Sequence, residues 1–100
     1  MALEVRRSDE RSRYEIMRDG ELVGIADFRD DGDQVVFPHT EIARPERGKG
    51  LGEQLVQHAL DDVRSRGKTV VPACWFVAEF LDDHPDYQDL LAGSTGSPRR

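Results

Sequence analysis

The segment Arg47-Gly48-Lys49-Gly50-Leu51-Gly52 decides how this sequence is interpreted, because the spacing of apolar residues changes there. Its three glycines alternate with larger residues, and backbone that lacks side chains can approach a ligand closely. An amphipathic segment follows, and the first N–H groups of a helix have no partner within the helix. The helix dipole adds partial positive charge at the same point. The segment therefore predicts a strand-to-helix turn that binds an anion, with pyrophosphate as the natural occupant.

The residues after this turn are spaced as in a half-buried helix. We predict a helix over Gly50–Arg66, ended by Gly67. The buried face is predicted from apolar residues at helical spacing, namely Leu51, Leu55, Val56, Ala59, Leu60 and Val63. Val70-Val71 predicts a short strand, and such a helix can connect two parallel strands.

The residues before the turn predict an antiparallel meander of about four strands. Asp19-Gly20 is a strong signal for a two-residue hairpin, and Asp30–Asp33 marks a second turn. Alternating or β-branched runs beside these turns predict strands over Leu3–Ser8, around Tyr14 and Ile16, over Leu22–Phe28 and over Val35–Ile42.

The C-terminal part predicts a second helix after the short strand. Trp75–Leu81 is apolar, His84-Pro85 interrupts it, and Asp86–Leu91 predicts a last short helical turn. The final residues are rich in Gly, Ser and Pro. We therefore predict one mixed α/β (α+β) domain over residues 1–92 and a flexible tail over residues 93–100.

Length and composition exclude several classes of function. A chain of 100 residues suffices for one domain, and a net charge of -6 argues against general nucleic-acid binding. The single cysteine, Cys74, excludes an internal disulfide and a multi-cysteine zinc site, and we expect no metal. No apolar run has the length of a membrane span or the pattern of a secretory signal. We expect a cytoplasmic protein without a membrane partner.

The charges near the turn and the spacing of its glycines limit which anion-binding motif it can be. Three cations and one anion, Glu46, lie between Arg44 and Lys49 within an otherwise acidic chain. A Walker loop requires Ser or Thr after Gly-Lys, where this sequence has Gly50. A Rossmann fingerprint requires two residues between its last two glycines, and here one residue separates Gly50 from Gly52. Both nucleotide-binding motifs are therefore excluded.

The pattern Arg47-x-x-Gly50-x-Gly52 resembles the pyrophosphate motif of the GNAT superfamily of N-acetyltransferases. Three further segments extend the resemblance to the short, minimal branch of that superfamily over about Tyr14–Leu91: His39-Thr40-Glu41-Ile42, Val70-Val71-Pro72-Ala73-Cys74 and His84-Pro85-Asp86-Tyr87.

The resemblance implies a GNAT-like fold and binding of coenzyme A, with acetyl-CoA as the acyl donor. It implies that Ile42 and Ala43 bond the pantetheine arm through their backbone groups. It also implies that the pyrophosphate is held by Arg47, Gly48, Lys49, Gly50, Leu51 and Gly52. The structural alternative is that the glycines only form a tight turn, for which one glycine would suffice.

Two residues are candidates for acid–base or nucleophilic catalysis. Cys74 lies where a strand ends and a helix begins, which lowers the pKa of a thiol, and the resemblance implies a cysteine here that acts in catalysis. His39 lies on the strand before the turn and is a candidate general base or partner of Cys74. Glu41 lies on the same side of that strand and is a candidate to orient His39. The alternatives are a buried apolar cysteine, a core histidine with one hydrogen bond, and a solvated glutamate.

Two classes of function follow. The first is an acetyl-CoA-dependent N-acetyltransferase that acts on a small amine or a protein amine. The second is a non-catalytic module that binds acyl-CoA or a partner protein, because the chain has no room for the N-terminal helices that form an acceptor wall in full GNAT domains. The sequence favours the enzyme without identifying the acceptor.

Overall fold

The strands follow one another across a single sheet in the order in which they occur in the chain. A computed structural model describes residues 2–91, and the predicted tail lies outside these residues. The strands are β1 (Leu3–Ser8), β2 (Arg13–Arg18), β3 (Glu21–Asp31), β4 (Gln34–Ile42) and β5 (Thr69–Val71). The helices are α1 (Leu51–Ser65) and α2 (Trp75–Asp83), and two 3-10 helices cover Arg44–Glu46 and Pro85–Leu90. The mixed α/β fold predicted from the sequence is confirmed.

The first four strands form the predicted antiparallel meander. Asp19 and Gly20 both have positive φ, as a tight hairpin turn with the correct twist requires. The Asp19 carboxylate also accepts a hydrogen bond of 2.8 Å from the N–H of Ala2, which fixes the start of β1 beside the turn. The 3-10 helix at Arg44–Glu46 was not predicted; Pro45 lies in its first turn, where the missing N–H of proline costs no hydrogen bond.

Helix α1 connects β4 to β5 and makes these two strands parallel neighbours. Their pairing is short: Val35 is opposite Val70, and Val36 opposite Val71 is the last pair. The predicted apolar face of α1 is buried in full. It shares one core with aromatic residues of the sheet, including Tyr14, Phe28 and Phe37.

A polar link joins the sheet to α1 at the edge of this core. The Tyr14 hydroxyl donates to Asp62 at 2.6 Å and accepts from Arg7 at 2.9 Å. Burial and the hydrogen bond to Asp62 raise the pKa of Tyr14. Burial by itself would raise the pKa of Asp62, but hydrogen bonds from Tyr14 and Arg66 outweigh that effect and lower it. The link therefore fixes the helix across the sheet with its carboxylate ionised.

Gly24 on β3 is required by close packing rather than by its backbone angles. A Cβ atom at this position would lie 2.5 Å from Ile42 Cδ1 and 2.9 Å from Ile16 Cγ2. The absence of a side chain therefore lets the end of β4 settle closely against β3. Within residues 2–91, no helix combines the length and apolar character needed to cross a membrane.

Glu15 is the buried acid on the sheet face opposite Tyr14. It accepts hydrogen bonds from Arg13 at 2.9 Å and from Arg6 at 3.2 Å. Burial alone would raise the pKa of Glu15, but the two arginines outweigh it, so the pKa lies below the usual value of 4.5. A carboxylate with a lowered pKa in the folded state stabilises the fold above its unfolded-state pKa. That contribution is lost as the pH falls through the lower, folded-state value.

We predict that Glu15→Gln lowers the free energy of unfolding at pH 7 by about 1–3 kcal/mol, because charge-assisted hydrogen bonds to two arginines are lost. The variant should also lose less stability than the wild type as the pH falls below 4.5. Urea unfolding at a series of pH values measures both effects. The exposed Glu10→Gln variant serves as the control and should follow the wild-type profile. Parallel pH profiles for Glu15→Gln and wild type would contradict the assignment.

Candidate functional site

A cleft of about 860 Å³ opens between the end of β4, the glycine-rich turn and α2. β4 contributes His39, Thr40, Glu41 and Ile42 to its wall. The turn and the start of α1 contribute Glu46, Arg47, Gly48, Gly50, Leu51, Gly52 and Glu53, and α2 contributes Trp75, Phe76, Glu79, Phe80 and Asp83. Both regions in which the sequence analysis placed cofactor contacts therefore meet in one cavity.

The turn ends at a helix start that leaves backbone donors free. Gly50 is the N-cap of α1 with φ 78°, a left-handed conformation that favours glycine, and no side chain caps the helix. The first hydrogen bond within the helix is from the Gln54 N–H to the Gly50 carbonyl, at 3.2 Å. The N–H groups of Leu51, Gly52 and Glu53 precede that bond, and they have no acceptor among residues 2–91. This is the arrangement that binds phosphate at helix N-termini.

The three glycines of the turn are required for two different reasons. Gly48 and Gly50 have positive φ, with open space where a Cβ would lie. Gly52 has ordinary helical angles, but its Cβ would lie 2.6 Å from two ring atoms of Phe76. Gly52 is therefore required by packing, because it makes room for the Phe76 ring that lines the cleft.

Among residues 2–91, no strand pairs with the cleft-facing edge of β4 beyond Val36. The last backbone contact on that side runs from the Cys74 N–H to the Phe37 carbonyl, at 2.8 Å. On the other side, the Ala43 N–H donates to Val23 of β3 at 2.8 Å. Because backbone groups alternate in direction along a strand, those of Ile42 and Thr40 face the open edge.

The structure distinguishes the two backbone contacts that the resemblance implied for a pantetheine arm. Ile42 lines the cleft, and its carbonyl accepts a hydrogen bond of 3.0 Å from Arg47 Nε. Ala43 is absent from the lining, its N–H is bound to β3, and its carbonyl accepts from the Glu46 N–H at 2.8 Å. Both backbone groups of Ala43 are thus already bonded within the protein, whereas the Ile42 N–H faces the open edge.

Thr40 contributes an unsatisfied polar atom to the open edge. Its hydroxyl oxygen is buried and has no hydrogen-bond partner among the described residues. Buried hydroxyl groups are normally hydrogen-bonded, so an orphan in a cleft indicates a missing partner. The sequence analysis did not select Thr40, because only the pairing of β4 shows which edge of the strand is open.

The charges of the turn are organised around one buried carboxylate. Glu46 is 7% exposed and pairs with Arg18 from the end of β2 and with Lys49 at 3.4 Å. Lys49 does not line the cleft in this arrangement, whereas Arg47 does. The local excess of cations was predicted correctly, but the contribution of Arg18 was missed because it lies 28 residues away in the sequence.

His39 and Glu41 form the candidate acid–base pair. His39 Nε2 lies 3.2 Å from Glu41 Oε1, and both side chains line the cleft and are more than half exposed. The prediction that they share one side of the strand is confirmed. The alternative of a buried core histidine is wrong, because Pro38 and His39 lie on the exposed part of β4.

Cys74 is separated from that pair. It is the N-cap of α2, as predicted, but its side chain is 8% exposed and belongs to the hydrophobic core. It does not line the cleft, and no hydrogen bond among residues 2–91 joins it to His39. The Cys–His pair considered from the sequence is therefore not formed, because the Cys74 side chain packs into the core while His39 lines the cleft. The described residues also contain no group of three potential metal ligands.

Comparison with known proteins identifies a family through one family model and a shared fold through solved structures. A family model described as GCN5-related N-acetyl-transferase matches residues 13–90. A GCN5-like protein from Staphylococcus aureus has a similar structure, with a TM-score of 0.70, 19% identity and coverage of 98% of this chain and 96% of that one. No curated protein matches the sequence.

Two larger enzymes share the fold over part of their length. The ribosomal-protein-S18-alanine N-acetyltransferase of Escherichia coli has a TM-score of 0.61 and 21% identity, over 77% of this chain and 53% of that one. N-acetylglutamate synthase of Neisseria gonorrhoeae was solved with coenzyme A and N-acetyl-glutamate. It has a TM-score of 0.54 and 22% identity, over 68% of this chain and 18% of that one. At sequence identities of 21% and 22%, these similarities establish a shared fold and no shared activity.

We predict that Gly52→Ala destabilises the protein by about 1–3 kcal/mol, because the new methyl group displaces the Phe76 ring. In the Phe76→Leu background the same change should be neutral or stabilising, since alanine favours helix over glycine by about 0.5–1 kcal/mol. Thermal unfolding of the four proteins provides the test. Equal effects in both backgrounds would show that Phe76 is not the reason for this glycine.

Proposed function

This chain belongs to the GCN5-related N-acetyltransferase family, and we propose that it transfers the acetyl group of acetyl-CoA to an amine. The observation that carries the proposal is the meeting of two sets of free backbone groups in one cleft. One set is formed by the N–H groups of Leu51, Gly52 and Glu53. The other lies at the open edge of β4, where the backbone of Thr40 and the N–H of Ile42 face the cleft, while the Ile42 carbonyl is bonded to Arg47. We propose residues 1–92 as the domain that binds the coenzyme.

The free N–H groups at the start of α1 suit the diphosphate of the coenzyme. They point out of a helix N-terminus that carries no competing side-chain cap, and the dipole of α1 favours negative charge there. The turn contributes Gly48 and Gly50, whose conformation exposes backbone, and Arg47 adds a cation at the cleft wall. Lys49 is close enough to join them if its ammonium group leaves Glu46.

The open edge of β4 suits the amide-containing arm of the coenzyme. Amide groups that lie along an unpaired strand edge replace the hydrogen bonds that a neighbouring strand would make. Ile42 and Thr40 present these backbone groups, and the orphaned Thr40 hydroxyl offers one further contact. The side chains of Ile42 and Phe76 form an apolar surface beside them. The arm would therefore lead from the turn along β4 towards His39.

Acetyl-CoA supplies the acetyl group as a thioester. The attacking amine forms a new N–C bond as the thioester C–S bond breaks, and coenzyme A leaves as a thiolate. His39 is the candidate to take the proton that the amine loses and to return it to this thiolate, with Glu41 holding the imidazole in position. Much of the remaining rate would come from placing the two reactants side by side. Cys74 takes no part in this proposal, because its thiol lies in the core.

The acceptor is proposed to be a small amine or a protein amine. The alternative, a module that binds acyl-CoA without transfer, is favoured by the strong solvent exposure of His39 and Glu41, at 54% and 61% of their side chains. Both functions require the same coenzyme site. They differ in whether an amine is acetylated, so release of free CoA by the wild-type protein in the presence of amines separates them.

We predict that acetyl-CoA binding depends on the Glu53 N–H group. Glu53→Pro removes this donor in the first turn of α1, where proline is tolerated. Glu53→Ala removes the same side chain and keeps the donor, so it is the matched control. Calorimetric titration should show binding about 10-fold weaker for the proline variant than for the alanine variant, as expected for one charge-assisted hydrogen bond. Equal affinities would contradict a role for this amide.

We predict that His39→Ala lowers kcat/KM for transfer by about 100-fold or more, the usual contribution of a general base. The dissociation constant for acetyl-CoA should not change, because His39 holds no part of the diphosphate. Cys74→Ala should leave kcat/KM within about 3-fold of wild type, since the thiol does not reach the cleft. Release of free CoA with a panel of amines measures transfer. Activity in His39→Ala equal to wild type would favour direct transfer without this base.

A further inference from the structure

A buried carboxylate, that of Glu46, lies directly before the glycine-rich turn. Its negative charge is unfavourable beside an anionic ligand. Glu46 is the last residue of the 3-10 helix that leads into the turn, it is 7% exposed, and it lines the cleft. A buried negative charge close to a diphosphate would repel it, and the low local dielectric strengthens that repulsion. The site can therefore bind a diphosphate only if the charge of Glu46 is compensated from within the protein.

Arg18 supplies that compensation. It lies at the end of β2, directly before the Asp19-Gly20 hairpin, and its guanidinium donates a hydrogen bond to Glu46 Oε2. The Arg18 side chain is 24% exposed, so the pair is shielded from solvent. The second carboxylate oxygen, Oε1, faces Lys49 Nζ at 3.4 Å. Each oxygen of Glu46 thus has one cation, and the two cations come from different parts of the chain.

Lys49 is held less firmly against Glu46 than Arg18 is. The Lys49 side chain is 52% exposed and its contact with Glu46 is long, as is typical of a weak surface pair. The pair of Arg18 with Glu46 is largely buried, since the two side chains are 24% and 9% exposed. If Arg18 alone neutralises Glu46, the Lys49 ammonium group is free to turn towards the cleft, where Arg47 already lies.

We propose that Arg18 is a positioning residue for the coenzyme. It neutralises Glu46 and thereby releases Lys49 to the diphosphate. This inference rests on the proposed function, since it concerns the same coenzyme. It adds a residue of β2 to a site that otherwise consists of β4, the turn and the two helices.

The test uses Arg18→Met, Glu46→Gln and the double variant in the full chain, with two probes. Acetyl-CoA carries the diphosphate, and S-acetyl-pantetheine lacks it. Ligand-observed magnetic resonance gives the dissociation constants of both probes, and thermal unfolding monitors the fold. Arg18→Met should weaken acetyl-CoA binding by about 10-fold, because removal of one partner leaves a buried charge uncompensated. Binding of S-acetyl-pantetheine should not change.

The double variant distinguishes a charge effect from a packing effect. Glu46→Gln removes the carboxylate that Arg18 neutralises, so the double variant should bind acetyl-CoA within about 3-fold of wild type. Glu46→Gln alone should bind acetyl-CoA at least as tightly as wild type. If Arg18 only stabilises the fold, Arg18→Met would weaken both probes equally and Glu46→Gln would not restore binding; that result would overturn the inference.

Lys49 provides a second test that does not require Arg18→Met to fold. Lys49→Met should weaken acetyl-CoA binding by about 10-fold in the wild-type background, as expected for loss of one charge-assisted contact to phosphate. Loss of binding in Glu46→Gln, or unchanged binding in Lys49→Met, would overturn the inference while leaving the proposed function intact. If the wild type bound neither probe, the proposed function itself would fail.

Discussion

The early end of the parallel pairing between β4 and β5 is the constraint on which the rest of this structure depends. The pairing ends at Val36 and Val71, and beyond it the Cys74 N–H at the start of α2 donates a backbone hydrogen bond to the Phe37 carbonyl of β4. The separation leaves one edge of β4 open, and α1 begins at the end of that edge. A strand edge and a helix start both expose backbone groups without partners, and their meeting produces the cleft. Neither the open edge of β4 nor the start of α1 forms a site by itself. The site exists because the fold places them side by side.

Local patterns predicted most of the fold because each pattern was complete within a few residues. The apolar spacing of Leu55 to Val63 identified α1, and Asp19-Gly20 identified the hairpin. The reasons for individual residues could not be predicted in the same way. Gly24 fits beneath Ile42, and Gly52 fits beneath Phe76, so each glycine depends on a partner that is distant in the sequence.

The candidate site was predicted in part for the same reason. The turn and the face shared by His39 and Glu41 follow from local spacing, and the structure shows both in the cleft. The positions of Cys74, Ala43 and Thr40 depend on which strand edge is paired, and only the pairing of β4 with β3 and β5 determines this. No local sequence pattern identifies Arg18, because its partner Glu46 lies 28 residues away and meets it only in the folded protein.

The most direct test of the central claim is a map of backbone amide chemical shifts during titration with acetyl-CoA. The account predicts that the largest changes occur at the start of α1, over residues 48–53, and along the open edge of β4 at Thr40 and Ile42. The amides of β1, on the far side of the sheet, should change little. If no amide shifted at millimolar coenzyme, or if the changes lay on β1 and β2, the claim that free backbone groups in this cleft bind the coenzyme would be contradicted.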